Sequence, residues 1–107
     1  MDKKILSMLG LCARARRLVS GEFAAETAVK KGTACLVIIA DDASANTKKL
    51  FQNKCTYYQV PYHIRFEKDA LGAAIGCMER AVVAITDDGF AKTIASYIEK
   101  SNQSGGC

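Results

Sequence analysis

Arg14, Arg16 and Arg17 stand just ahead of a Ser20-Gly21-Glu22-Phe23 run, and Lys30 and Lys31 close the same stretch before Gly32. Cations in this density attract phosphate, and the start of a helix offers unpaired N–H groups that do the same. Phe23 adds an aromatic face on which a base could stack. Two readings of that ring are open at this level. It either stacks on a ligand or folds over neighbouring apolar surface such as the end of the first helix. Glu22 and Glu26 work against simple phosphate clamping, but a first-turn carboxylate can accept from base amino groups or complement the helix dipole.

Charge placement sharpens the first reading. Through Gly32 there are seven basic and three acidic residues, and from Thr33 onward eight of each. The whole surplus of +4 therefore sits in the first third, which suits a surface that faces a polyanion.

Other reactive residues point elsewhere. Asp41-Asp42 and Asp87-Asp88 follow apolar runs, where carboxylates can hold Mg²⁺ or serve phosphate transfer. Both pairs also precede helical patterns, where aspartate caps free N–H groups, and GAAIG falls in or at the end of a helix instead of after a strand. A non-enzymatic reading follows. His63 is the only histidine and reads as a half-buried strand residue, while Tyr57 and Tyr58 could stack bases but read more simply as packing a connection with their hydroxyls in water. Cysteines 12, 35, 55, 77 and 107 have no CxxC spacing, so they read as free thiols, with Cys12 and Cys35 in the core and Cys107 in a tail. Neither a metal nor an organic cofactor is expected.

The elements that must position the basic segment alternate between helical and strand periodicity. Helices are expected at 3–13, 21–31, 44–53, 69–76 and 88–100, and strands at 17–19, 34–40, 60–66 and 81–85. Ser20 is the expected N-cap of the second helix and Gly32 its close. On a wheel of 3.6 residues per turn, Ala24, Ala25, Ala28 and Val29 face the core, while Glu22, Phe23, Glu26, Thr27 and Lys30 face solvent, with Glu26 and Lys30 paired. The fold class is α/β: a three-layer α/β/α sandwich around a small mixed sheet, one domain over residues 1–100 with a flexible tail at 101–107. The opening MDKKILSMLGLCARARR reads as a first helix and not a secretory leader, because Ser7 and Gly10 break its apolar part and arginines follow. A cytoplasmic monomer without membrane contact is expected.

Taken in order, LGLCARARRLVSGE, LVIIADDAS, KLFQNKCTYYQVPY, LGAAIG and VAITDDGFAK resemble the kink-turn RNA-binding ribosomal-protein superfamily, of archaeal large-subunit and box C/D type, and within it the bacterial YlxQ-like branch. The resemblance implies a bent RNA with tandem sheared G·A pairs, in an rRNA or mRNA element, and ribosomal or translation-factor proteins nearby. It implies two contact elements. The first is the start of the second helix, written Gly-x-Asn-Glu-x-x-Lys in that family. Here only Gly21 matches: Phe23 stands for the asparagine, Ala24 for the glutamate and Thr27 for the lysine. Glu22, Lys30, Lys31 and the arginines are left to compensate. The second is the loop Gly76, Cys77, Met78, Glu79, Arg80, Ala81, Val82, which packs on an extruded nucleotide. Met78 and Val82 would supply apolar contact, and Arg80 a phosphate or stacking contact. The alternative is a protein-interaction module on the same fold, anchored through the Phe23 edge.

Overall fold

Two apolar runs, Leu36–Ile39 and Val82–Ile85, have every residue buried, and they form the centre of a four-stranded sheet. A strand covered on both faces has no polar alternation, which is why these runs are continuous. The computed structural model describes residues 2–105. Met1, Gly106 and Cys107, with the expectation for the last thiol, lie outside the described residues. In chain order the elements are α1 (Asp2–Arg14), β1 (Leu18–Ser20), α2 (Glu22–Lys31), β2 (Leu36–Ile39), α3 (Ala45–Tyr57), β3 (Tyr62–Ile64), α4 (Lys68–Ala74), β4 (Val82–Ile85) and α5 (Asp88–Gly105).

The sheet order is β1-β4-β2-β3, with β2 and β3 parallel and the β1–β4 and β2–β4 pairs antiparallel. Helices α2 and α3 pack together, and α1 packs with α4 and α5, giving the expected layers on a mixed sheet. Phe51, Ile5, Leu9, Leu71, Ile94 and Ile98 fill the core between them. Arg65 ties the chain's two outer helices, its Nη2 donating to Asp2 Oδ1 at 2.7 Å and to Ser101 Oγ at 2.6 Å.

The differences from the expected elements have local causes. Helix α3 runs on to Tyr57 because Phe51 and Cys55, one turn apart, are both fully buried and extend its apolar stripe. Helix α5 runs through Gly105, past the expected helix end at Lys100. Ser20 is not an N-cap. It lies in β1, and Gly21 occupies the cap position with no side-chain cap bond. The aspartate pairs also divide. Asp87 Oδ2 accepts from Phe90 N at 2.9 Å and caps α5, but Asp42 Oδ1 reaches across to accept from Lys68 N at 2.8 Å at the start of α4. Helix α3 is capped instead by Ser44, whose Oγ accepts from Thr47 N at 3.1 Å.

Cys12, Cys35, Cys55 and Cys77 are free thiols; Cys12 and Cys55 are buried, Cys35 is half-buried against the core, and Cys77 is exposed. Burial pushes the Cys12 thiol up to about 11, with the Asp87 charge adding to it, and burial alone does the same for Cys55. An acid whose pKa is raised by folding stabilises the fold below its unfolded value and loses that contribution as the unfolded chain ionises first. Stability should therefore fall between pH 9 and about 11, by roughly 2 kcal/mol per thiol. Denaturant titrations at pH 8 and pH 10.5 check this, and Cys55→Ala should flatten the alkaline slope.

Candidate nucleic-acid interface

Antiparallel pairing of β1 with β4 sets Ser20 opposite Val83, so the residues leaving β1 lie beside the residues entering β4. Gly21 N donates to Val82 O at 2.9 Å, and Arg80 Nε donates to Ser20 Oγ at 3.2 Å. The start of α2 and the loop at 76–81 are thereby held on one surface, although sixty residues of chain separate Ser20 from Arg80.

Gly21 makes this geometry possible. Its φ of 94° and ψ of 157° fall in a region open almost only to glycine, and the space where a Cβ would stand is empty. Gly21→Ala should thus act through backbone strain and not through a clash. About 1–3 kcal/mol of destabilisation is expected in thermal melts, together with a loss of ligand affinity as the first turn of α2 shifts.

The loop is fixed by backbone contacts. Cys77 N donates to Gly72 O at 2.8 Å, Arg80 N to Lys68 O at 3.1 Å, and Ala40 N to Ala81 O at 2.7 Å. Arg80 staples it further, Nη1 donating to Glu79 O at 3.0 Å and to Met78 O at 3.4 Å. Arg80 thus commits its Nε and Nη1 to holding the loop against β1. Met78 projects from the loop, 83% exposed. Val82, expected to supply apolar contact beside Met78, is instead the first residue of β4 and fully buried, because it is drawn into the core ladder. Cys77 and Glu79 are exposed and Ala81 is half-buried.

At the helix start Phe23 is 83% exposed, so the ring does not fold over the end of α1. Glu22 is held from the other side. Its Oε1 accepts from Thr47 Oγ1, which in turn accepts from Ser44 Oγ at 2.9 Å. This Ser44–Thr47–Glu22 chain orients the carboxylate, and the sequence gives no sign of it because the partners lie 25 positions apart.

The expected cations do not form one cluster. Arg14 ends α1 and lines a cleft with Ala73, Ala74, Ile75 and Gly76, next to the loop. Arg16 and Arg17 are exposed in the turn before β1, at the other end of that strand from Gly21. Three strand residues at about 3.3 Å each keep them roughly 10 Å from the helix start. Lys30 pairs with Glu26 at 3.2 Å, as expected from their spacing, and Lys31 lies at the far end of α2. No group of three or more His, Cys, Asp or Glu side chains suited to a metal ion occurs among the described residues. Nor is any of their helices long and apolar enough to cross a membrane.

The chain matches, over residues 3–95, the family described as ribosomal protein L7Ae/L30e/S12e/Gadd45. It is 44% identical over 92 residues to the RNA-binding protein YlxQ of Bacillus subtilis (strain 168), covering 86% of this chain and 92% of that protein. It is 37% identical over 97 residues to the RNA-binding protein YlxQ of Enterococcus faecium, covering 91% and 93%. A solved structure of a protein with unknown function from Bacillus halodurans C superposes with a TM-score of 0.87 at 44% identity, over 90% of this chain and 97% of that one. The 15.5 kD RNA-binding protein of Giardia lamblia gives a TM-score of 0.80 at 27% identity, over 92% and 85%.

Proposed function

Because the chain belongs to the ribosomal protein L7Ae/L30e/S12e/Gadd45 family, we propose that it binds structured RNA with a sharp, kink-turn-like bend, as a ribosome-associated protein of the cytoplasm. The observation that carries this reading is the union of the α2 start and the 76–81 loop on one surface through the Gly21–Val82 and Arg80–Ser20 bonds. A bent RNA presents a distorted groove and an extruded nucleotide close together, and a surface of two fixed elements meets both. The names of the YlxQ relatives and of the Giardia lamblia protein support RNA as the ligand.

In this reading the α2 N-terminus meets the bent groove, with Gly21 allowing close backbone approach and Glu22 facing base edges. Met78 covers the extruded nucleotide. Arg14, Arg16, Arg17, Lys30 and Lys31 contribute long-range attraction to phosphate. No cofactor takes part.

Backbone amide shifts during titration with a kink-turn RNA test the assignment. Perturbations should concentrate at residues 20–24 and 76–81. Shifts confined to the distal end of α3 or to α5 would contradict it.

A further inference from the structure

Beside the helix start, a groove of about 430 Å³ runs between α2 and the edge strand β1, lined by Val19, Phe23, Ala24, Thr27, Ala28, Lys31, Thr33 and Thr86. Building on the RNA-binding reading, we propose that this groove is a slot for an unpaired nucleobase of the bound RNA, taken by stacking on Phe23 and followed by its phosphate toward Lys31.

Three observations carry this. First, the Phe23 ring is exposed at the mouth of the groove, at the end it shares with the α2 start. An aromatic face next to a helix N-terminus is a stacking platform with an anion site beside it. Second, the polar groups along the groove suit a base edge better than a phosphate. Thr27 Oγ1 donates to Phe23 O at 2.9 Å and Thr33 Oγ1 to Ala28 O at 3.3 Å, so each hydroxyl has placed its hydrogen internally and offers only lone pairs. Such acceptors receive the amino hydrogens of adenine, cytosine or guanine and have nothing to give the carbonyls of uracil, which is left with its single N3–H. Third, charge is distributed along the groove. Lys31 stands eight residues, about 12 Å, from Phe23 along α2. The same end carries the exposed Arg16–Arg17 turn, fixed there by Thr86 N donating to Arg17 O at 2.8 Å. The nearby acids are engaged elsewhere, Asp87 in capping α5 and Asp88 in a 3.0 Å pair with Lys92. An unpaired nucleotide can thus leave the bend with its base on Phe23 and its backbone running to a basic end.

The experiment pairs a protein change with an RNA change. Each unpaired nucleotide of a kink-turn RNA is replaced in turn by an abasic residue or by 2-aminopurine, and affinity is measured for the wild type, Phe23→Ala and Phe23→Leu. At one position the abasic RNA should bind roughly 5- to 150-fold more weakly, and Phe23→Ala should cost about the same. The two losses should not add, because each removes one half of the same stack. At that position 2-aminopurine fluorescence should change on binding the wild type but not Phe23→Ala, Phe23→Leu should restore little, and adenine should be preferred to uracil. Thermal melts of the variants should be unchanged, since the ring is exposed. Additive losses at every position, or unaltered affinity for Phe23→Ala, overturn the slot while leaving RNA binding intact. Failure of the wild type to bind any of these RNAs overturns the reading beneath it and the slot together.

Discussion

Raising monovalent salt from 50 to 200 mM is expected to weaken RNA binding by roughly 40- to 500-fold. The figure follows from counterion release. If about three to five of the exposed cations reach phosphates, the affinity falls with a log–log slope of about −2.7 to −4.5. The candidates are Arg14 beside the loop, Arg16 and Arg17 at the turn before β1, and Lys31 at the end of α2. Lys30 should contribute least, because Glu26 already holds its ammonium at 3.2 Å. Arg16→Gln with Arg17→Gln should lower the slope by up to about 2 and weaken all RNAs alike, since phosphate contacts carry no sequence information. Fluorescence anisotropy across a salt series measures both. A protein partner anchored on Phe23 would show little such dependence, which separates RNA binding from the interaction-module alternative.

Gly72→Ala should be the most damaging single substitution to the site that lies outside it. A Cβ on Gly72 would stand 2.0 Å from Met78 O, 2.6 Å from Met78 C and 2.8 Å from Glu79 Cα. All three are backbone atoms of the loop, so no side chain can swing aside to relieve the clash. The loop must move or α4 must shift from β4. Overpacking of this kind costs about 1–3 kcal/mol or more, and for a chain of this size each kcal/mol lowers the melting temperature by roughly 4–8 °C. The displaced loop would carry Met78 away from the helix start and strain the Arg80–Ser20 bond, so RNA affinity should fall further than stability alone explains. Met78→Ala is the companion variant. It removes an exposed side chain, so it should leave melting unchanged while weakening RNA, and comparing the two separates loop position from loop chemistry.

The central strands were legible because LVII and VVAI are uninterrupted apolar runs, and the core face of α2 was legible at Ala25, Ala28 and Val29, whereas Ala24, expected on that face, is half-buried and lines the groove beside Phe23. Pairing of Lys30 with Glu26 followed from spacing in the same way. What sequence could not show was adjacency across the fold. Ser20 has the residue type and position of a cap, but strand pairing takes it into β1 and gives its hydroxyl to Arg80. Asp42 looks like the cap of the next helix and instead serves the start of α4. The arginines are neighbours in sequence, yet Arg14 ends α1 beside the loop while Arg16 and Arg17 stand in the turn at the other end of β1 from Gly21. Val82 is drawn into the core by its pairing with Ile39 of β2. Likewise the groove at Phe23 needs Val19 and Thr86, which the pairing of β1 with β4 brings beside α2, and Thr33, which the turn closing α2 folds back onto Ala28 O.

The central claim is recognition of a bent RNA by the α2 start and the 76–81 loop acting together. Calorimetric titration of the wild-type protein compares a kink-turn RNA with a control of equal length and charge whose G·A pairs are replaced by Watson–Crick pairs. Clearly tighter binding to the kink-turn is expected at fixed salt, with the control retaining only the salt-sensitive, sequence-independent component. Equal affinity for the two RNAs would contradict it.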